Sequence, residues 1–435
     1  MLKVTVYIPI EWINRELNST LLLTKFLIKK KLRVIIGSKR SIFFYLKHKK
    51  SKSGIFFYKG GLEKNICEFI NEKCNKLVIL DQEIGPINND DSLIYKIKTR
   101  FFKNTLKFIS RYYCINKKVF KTSKKILEPH INGKVVLSGW PRVDLWRNKY
   151  PKIFLTENNF IKKKYNNYIL FSSNFICLNL NEIKYFKKRV KTYWTSHKHP
   201  VKKKVQQMLN SYKEFKNFKL FLKEYSNIKT LPTLIIRPHP NEDIDVWKKI
   251  TKNYDNIFVE SKFDIHPWIY NSELILHRGC TSSVHAQVAK KKVVMLKLYK
   301  KFTLPQYIKV SNFIIQNAKQ LNKLLKEKYT KSNLDVSNDI VFKSKILSSK
   351  RISDDLKNIE NLNKEKIHYF DYKVKIIYNL KTLYYRYKNI FKFSLTKKNK
   401  FDGGINEKNI REKLKNINVK KSNIVTLLPN LIALE

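Results

Sequence analysis

Acidic residues are scarce in this chain: 34 Asp and Glu stand against 90 Lys and Arg in 435 residues, a formal net charge of +56. That balance points to anionic partners: nucleic acid, an acidic membrane face or phosphorylated substrates. Ala, Gly and Arg are also few, whereas Lys, Asn, Ile, Phe and Tyr abound. AT-rich codons give the same preferences, so the charge permits an anionic ligand without establishing one. Cysteine is sparse and dispersed, at Cys67, Cys74, Cys114, Cys177 and Cys280. An odd set with no short paired spacing speaks against a disulfide framework and a structural zinc site. No stretch reaches the roughly 18 uninterrupted apolar residues of a membrane span. The opening MLKVTVYIPIEW has too short an apolar run for a signal peptide and alternates as a strand does. The expected location is the cytoplasm, with the basic surface able to rest on the inner, anionic face of a membrane. No internal repeat of short period is visible.

Hydrophobic residues make up 43% and aromatics 13%, which is the composition of a folded protein. The length suits two domains plus an extra segment. KVTVYIPI (3–10), LRVIIGS (32–38), GIFFYKG (54–60), KLVILDQE (76–83) and VVLSGW (135–140) read as strands. Helical patterns over 14–31 and 63–74 separate several of them. After a lysine-rich stretch near 157–167 a second series begins with YILFSSNF (168–175) and a helix over 201–225. It continues with TLIIRPHP (233–240), a helix over 245–254, NIFVES (256–261), ELILHRG (273–279), a helix from Thr281 and KVVMLK (292–297). Alternating strands and helices predict mostly parallel sheets covered on both faces. The expected fold is therefore α/β: two Rossmann-like domains, 1–155 and 165–330, facing across a cleft, with a lysine-rich, mainly helical extension over 331–435.

Ligands of open parallel sheets bind beyond the carboxyl ends of the strands. Four polar clusters fall at such ends: Pro9–Glu11, Asp81–Glu83, Arg237–His239 and His277–Ser283. In RPHP, Arg237 and His239 lie two apart and share one face of the strand. Arg can hold a phosphate through two parallel bonds, and imidazole can donate to it. In LHRGCTSSVHAQ, Gly279 permits a sharp strand-to-helix turn, and Thr281, Ser282 and Ser283 occupy the first helical turn. Free amides, the positive helix end and the hydroxyls form an anion site there, joined by His277 and Arg278. A single hydroxyl would suffice for capping alone.

Among the acids, Glu83, Glu11 and Asp81 are the candidates for a base or nucleophile in group transfer. Each has a plainer alternative as a helix cap or a lysine partner, and Glu11 has a further one in an ion pair with Arg15. Asp144 in GWPRVD reads as the cap of the next helix. Asp90-Asp91 read as solvated loop residues, so no DxD-type metal site, and no metal or cofactor, is expected.

VYIPIEWINREL, LLL and RVIIGS resemble the opening of bacterial surface-carbohydrate biosynthesis proteins of the capsule or O-antigen kind. LDQEIG, SGWPRVD, FSSNF, RPHP and HRGCTSSVHAQ follow in the order of that family's landmarks, so the resemblance covers roughly residues 3–300. The second half resembles transferases using CMP-linked sugar acids, of the Kdo and sialic-acid type, or CDP-glycerol. The resemblance implies a GT-B glycosyltransferase fold whose second domain holds the nucleotide donor, with His239, Ser282 and Ser283 at its phosphate. The first domain would take a glycan or lipid-linked glycan acceptor. Trp140, His285 and Gln82 depart from the pattern. Three other readings remain open: a CDP-glycerol-type glycerophosphotransferase, a sugar-nucleotide epimerase and a basic nucleic-acid-binding protein. No RNP signature or zinc finger supports the last.

Overall fold

A computed structural model describes residues 1–86, 89–147, 149–193, 201–299, 305–327, 336–391, 404–419 and 422–435. It divides into two compact units, Met1–Leu155 with the described chain from Ser337 onward, and Thr156–Val336.

Six parallel strands build the sheet of the first unit. They are β1 (Thr5–Ile10), β2 (Arg33–Ser38), β3 (Ile55–Tyr58), β4 (Lys76–Leu80), β5 (Ile109–Cys114) and β6 (Lys134–Leu137), in the order β2-β1-β3-β4-β5-β6. β1 is buried at every residue, as a parallel strand covered by helices on both faces must be. The helix Ile13–Lys29 turns Leu17, Leu21 and Leu22 inward. Sequence periodicity overlooks β5, because Arg111 interrupts ISRYYC and the surrounding lysines mask its alternation.

The second unit holds β7 (Tyr168–Ser172), β8 (Thr233–Arg237), β9 (Ile257–Val259), β10 (Leu274–His277), β11 (Lys292–Leu296) and β12 (Phe313–Ile315). All are parallel, in the order β12-β11-β10-β7-β8-β9. The long helix Val201–Asn227 lays Phe215, Phe218, Phe221 and Tyr225 on this sheet around Trp247. Phe218 stacks on Phe171 of β7 at 4.3 Å between ring centres.

The segment expected as a separate helical extension instead completes the first unit. Helices Ser348–Lys357, Tyr372–Phe391 and Glu407–Asn416 belong to it. The hairpin β13 (Ile424–Leu428) and β14 (Leu431–Leu434) adds two antiparallel strands at the β2 edge. Two apolar runs meet at Pro429-Asn430, and Asn430 takes the left-handed conformation the turn needs (φ 59). A Cβ at Gly37 would stand 2.6 Å from the Asn430 carbonyl oxygen, so glycine lets the hairpin close on β2. β12 was also missed, being only three residues long.

Two polar anchors fix this late segment. Arg33, almost fully buried, ion-pairs with Glu435 and donates to the carbonyls of Glu365 and Met1, each at 2.9 Å. Asp144 does cap a helix, though not its neighbour in sequence: its carboxylate accepts from the amides of Ser348 (3.1 Å) and Ser349 (2.7 Å). Those amides open the helix Ser348–Lys357, which has no side-chain cap of its own. Asp144→Ala should therefore lower stability by about 1–2 kcal/mol, seen as a lower urea midpoint, with Asp144→Asn milder.

Candidate functional site

In the second sheet the strand order reverses at β7, which pairs with β8 on one side and β10 on the other. This is the topological switch point, where the loops leaving two adjacent strands diverge and open a crevice. The register aligns Arg237, Ser172 and His277 across the ends of β8, β7 and β10. Three sequence landmarks, RPHP, FSSNF and HRGCTSS, thus leave the sheet side by side. Side chains knit them together. Ser282 donates to Ser172 (Oγ–Oγ 2.8 Å), and Asn174 Nδ2 donates to the Gly279 carbonyl (2.8 Å). Gly279 takes φ 104, which glycine adopts freely.

Glu242, which the sequence reading did not single out, joins the first two loops. Its buried carboxylate accepts from Ser173 Oγ (2.8 Å), Phe175 N (2.5 Å), His239 N (3.1 Å) and Trp247 Nε1 (2.9 Å). Burial pushes its pKa up to about 7 even against these four donors. Its signal was its rarity: an acid three residues after His239 in a chain poor in acids.

The cationic phosphate grip expected from Arg237, His277 and Arg278 is not what the side chains form. Arg237 donates to the carbonyls of Glu260 (3.0 Å), Lys262 (2.6 Å) and Phe263 (2.9 Å) and lies over the Trp268 ring. Burial draws its pKa down to about 10. Arg278 is buried, ion-pairs with Glu214 of the long helix, donates to the Asn174 carbonyl and sits 4.5 Å over the Phe175 ring. His277 is fully buried. Its Nδ1 accepts from Gly279 N (3.0 Å), so Nε2 carries the proton and donates to Ser311 Oγ (2.9 Å). Burial drives its pKa down to about 3 and keeps it neutral. All three are engaged with groups of the protein itself.

The hydroxyls divide in the same way. Ser283 donates to the Cys280 carbonyl (2.6 Å), while the amides of Ser283 and Val284 bond the carbonyls of Cys280 (3.2 Å) and Thr281 (3.1 Å). Thr281, at the N-cap, is half-buried and makes no side-chain cap bond. His239 is half-buried, and its Nδ1 accepts from Asn241 N (3.2 Å), so the proton sits on Nε2. His285 is buried edge-to-face against His266.

In the first unit, two of the three expected carboxylates, Glu11 and Glu83, meet at the ends of β1 and β4 around a cation not foreseen, while Asp81 turns to Arg100. Lys59, just after β3, reaches Glu16 (2.7 Å), Glu11 (3.0 Å) and Glu83 (3.4 Å). Tyr58 donates to Glu11 (2.9 Å), so the partners of Glu11 come from the end of β3. Arg100 pairs with Asp81 and with Glu83 (2.8 Å). Asp81 is buried and also accepts from the amides of Glu83 (3.1 Å) and Ile84 (3.3 Å), which makes it the anchor of the turn. Burial raises its pKa despite Arg100. Burial also pushes Glu11 and Glu83 upward, but Lys59 with Tyr58 for the one, and Arg100 with Lys59 for the other, overcome it and hold both below their ordinary value. Beside this network lies a hollow of about 430 Å³, its open mouth included, lined by Glu16, Ser19, Thr20, Tyr58, Lys59 and Gln82 among others. Trp140 Nε1 donates to Gln82 (3.0 Å), so two departures from the family pattern meet here. Asp90 and Asp91, expected in a loop, form the first turn of the helix Asp90–Arg100, with Asp90 paired to Lys118 at 2.7 Å.

No family profile matches the chain, and no curated protein matches it. Solved structures similar to it include S. aureus MnaA with UDP, at 14% identity over 82% of this chain and 96% of that one, TM-score 0.46. UDP-GlcNAc 2-epimerase from Neisseria meningitidis bound to UDP-GlcNAc is similar at 10% identity over 81% and 99%, TM-score 0.47. A variant of the wall teichoic acid polymerase TagF with CDPG is similar at 11% identity over 81% and 88%, TM-score 0.41. Among the described residues no helix is long and apolar enough to cross a membrane.

Two expectations follow. Glu242→Gln keeps the shape but turns part of a four-fold acceptor into a donor facing N–H groups, and should cost about 1–3 kcal/mol in urea unfolding. Glu11 and Glu83, with lowered pKa, stabilise the fold above the carboxylate range, and that contribution is lost as acid protonates them. Lys59→Met should therefore be most destabilising near about pH 7, and variant and parent should converge as pH falls through about 4. Urea midpoints across that range measure it.

Proposed function

We propose that the chain is a glycosyltransferase of surface-polysaccharide synthesis that takes a nucleotide-sugar donor at the switch point of its second unit. The supporting observation is the register that sets the FSSNF, RPHP and HRGCTSS loops side by side there. In this reading His239 Nε2 and the Thr281 hydroxyl contact the phosphate, while Gly279, Ser282 and Ser283 hold the turn that presents them. Arg237, His277, Arg278 and Glu242 keep the walls in place. One imidazole and one hydroxyl suit the single phosphate of a CMP-linked acidic sugar better than a pyrophosphate, whose second charge calls for further cations. The nucleotide sugar is a co-substrate, and the reaction uses no separate cofactor.

The first unit takes the acceptor, a glycan or lipid-linked glycan, at the cytoplasmic face of the membrane. Its hollow offers carboxylate, hydroxyl, amide and ammonium groups, the donor and acceptor mix that sugar hydroxyls require. Glu11 and Glu83 stay ionised at neutral pH. A carboxylate held below its usual pKa is a weak proton acceptor, so either serves better to orient an acceptor hydroxyl than to strip it fully.

Binding of CMP, CDP, UMP, UDP and GDP at moderate salt tests the donor reading. Cytidine nucleotides should bind selectively, and His239→Ala and Thr281→Val should each weaken CMP about tenfold, the loss of one charge-assisted or neutral hydrogen bond. Equal binding of all five with unchanged variants would overturn it. Turnover of a nucleotide sugar without an acceptor would assign an epimerase instead, and release of CMP from CDP-glycerol a glycerophosphotransferase.

A further inference from the structure

The helix Tyr372–Phe391 in the first unit has two faces, and both can be described over its first three turns. One face is anchored. Tyr378 is buried, its hydroxyl 2.6 Å from Ser41 Oγ and its ring 4.9 Å from Phe44, and Val374 and Thr382 are half-buried one turn to either side. These positions are four apart and share a stripe. The opposite face is apolar and open to solvent: Tyr372 is 78% exposed, Leu380 60% and Leu383 57%, with Ile376 between them. At about 100° per residue these four span a narrow arc directly away from the anchored stripe. Exposed Lys373 lies at one edge of that arc and exposed Lys375 about 60° beyond the other, while Lys381 lies farther round, past exposed Ile377 and Tyr384. The sequence 372–391 contains five Lys or Arg and no Asp or Glu.

An anchored surface helix with a solvent-facing apolar stripe bordered by lysines has the pattern of one that lies in a bilayer interface. Its apolar residues enter the acyl boundary while the lysines bend up to anionic headgroups. A protein partner of matching shape would have to bring its own acids to this helix; an anionic bilayer offers the charge everywhere. We infer that the helix Tyr372–Phe391 docks the protein on an anionic lipid surface, apolar face down. This deepens the placement at a membrane given above, and it is independent of which nucleotide the second unit holds.

The test is flotation of the full chain with phosphatidylcholine vesicles, with or without phosphatidylglycerol. The variants are Ile376→Asn/Leu380→Asn/Leu383→Asn and Lys373→Gln/Lys375→Gln. All five positions are exposed, so both variants should unfold thermally as the parent does. The parent should float with the mixed vesicles and weakly with the neutral ones. The triple variant should lose at least about tenfold in vesicle affinity, and the double variant severalfold, while both bind CMP as the parent does. Triple-variant binding equal to the parent's would overturn the inference and assign the attraction to the basic surface at large. A parent that stays off mixed vesicles would overturn it too. So would a parent dimer that the triple variant splits while vesicle binding is unchanged, since the face would then belong to a second copy. Loss of nucleotide selectivity with vesicle binding intact would count against the donor reading alone.

Discussion

A charge taken out of water must meet an opposite charge or a set of dipoles, at a cost of several kcal/mol if it does not. In a chain with 34 acids and 90 strong cations, the acid is the limiting partner. Several buried carboxylates serve as hubs that tie distant segments together. Glu365 takes Tyr7, Lys49 and Ser53, joining β1 and the approach to β3 to a distant loop. Glu242 gathers two loops of the second unit, and Asp144 starts a helix two hundred residues away. Where acids run out, backbone carbonyls substitute: Arg237 takes three, and Lys25 and Lys413 take those of Ile417 and Ile153.

The same constraint shapes the switch-point site. A conspicuous arginine or histidine beside a ligand crevice invites a binding role, but in a protein this basic a cation near the core is often there to be neutralised. Arg278 has Glu214, and His277 is stripped of charge by its surroundings. On the proposed reading the contacts left for a donor are small groups, the His239 imidazole and the Thr281 hydroxyl. A chain this positive could draw an anion from afar through its overall field, while such groups discriminate at contact by shape and hydrogen bonding.

Most strands of the two parallel sheets were legible because they are apolar runs that end in polar clusters; β5, broken by Arg111, and the three-residue β12 were not. The switch-point loops were legible for the same reason, since Gly279 and the prolines around His239 mark where strands must stop. The roles of Arg237, His277 and Arg278 were not. Whether a side chain at a strand end turns outward or back into the protein depends on Glu214, Ser311 and the carbonyls after β9, none adjacent in sequence. Lys59 escaped notice because one lysine among so many carries no signal until three carboxylates are seen around it. The hairpin β13–β14 escaped because a lysine-rich neighbourhood hid two short apolar runs.

That hairpin bears on how the protein is made. β14 pairs with β2 across nearly four hundred residues, Gly37 against Leu431. A ribosome therefore releases all six parallel strands of the first unit, and then the whole of the second, before the edge of the first sheet can be closed. Until then β2 is an uncovered strand with unpaired backbone groups, the kind of edge that recruits other chains. The second unit, whose described residues all lie in the single stretch Thr156–Val336, is free to fold in the interval. Synthesis thus passes through a stage in which the later-made unit is finished and the earlier-made one still waits for its last two strands.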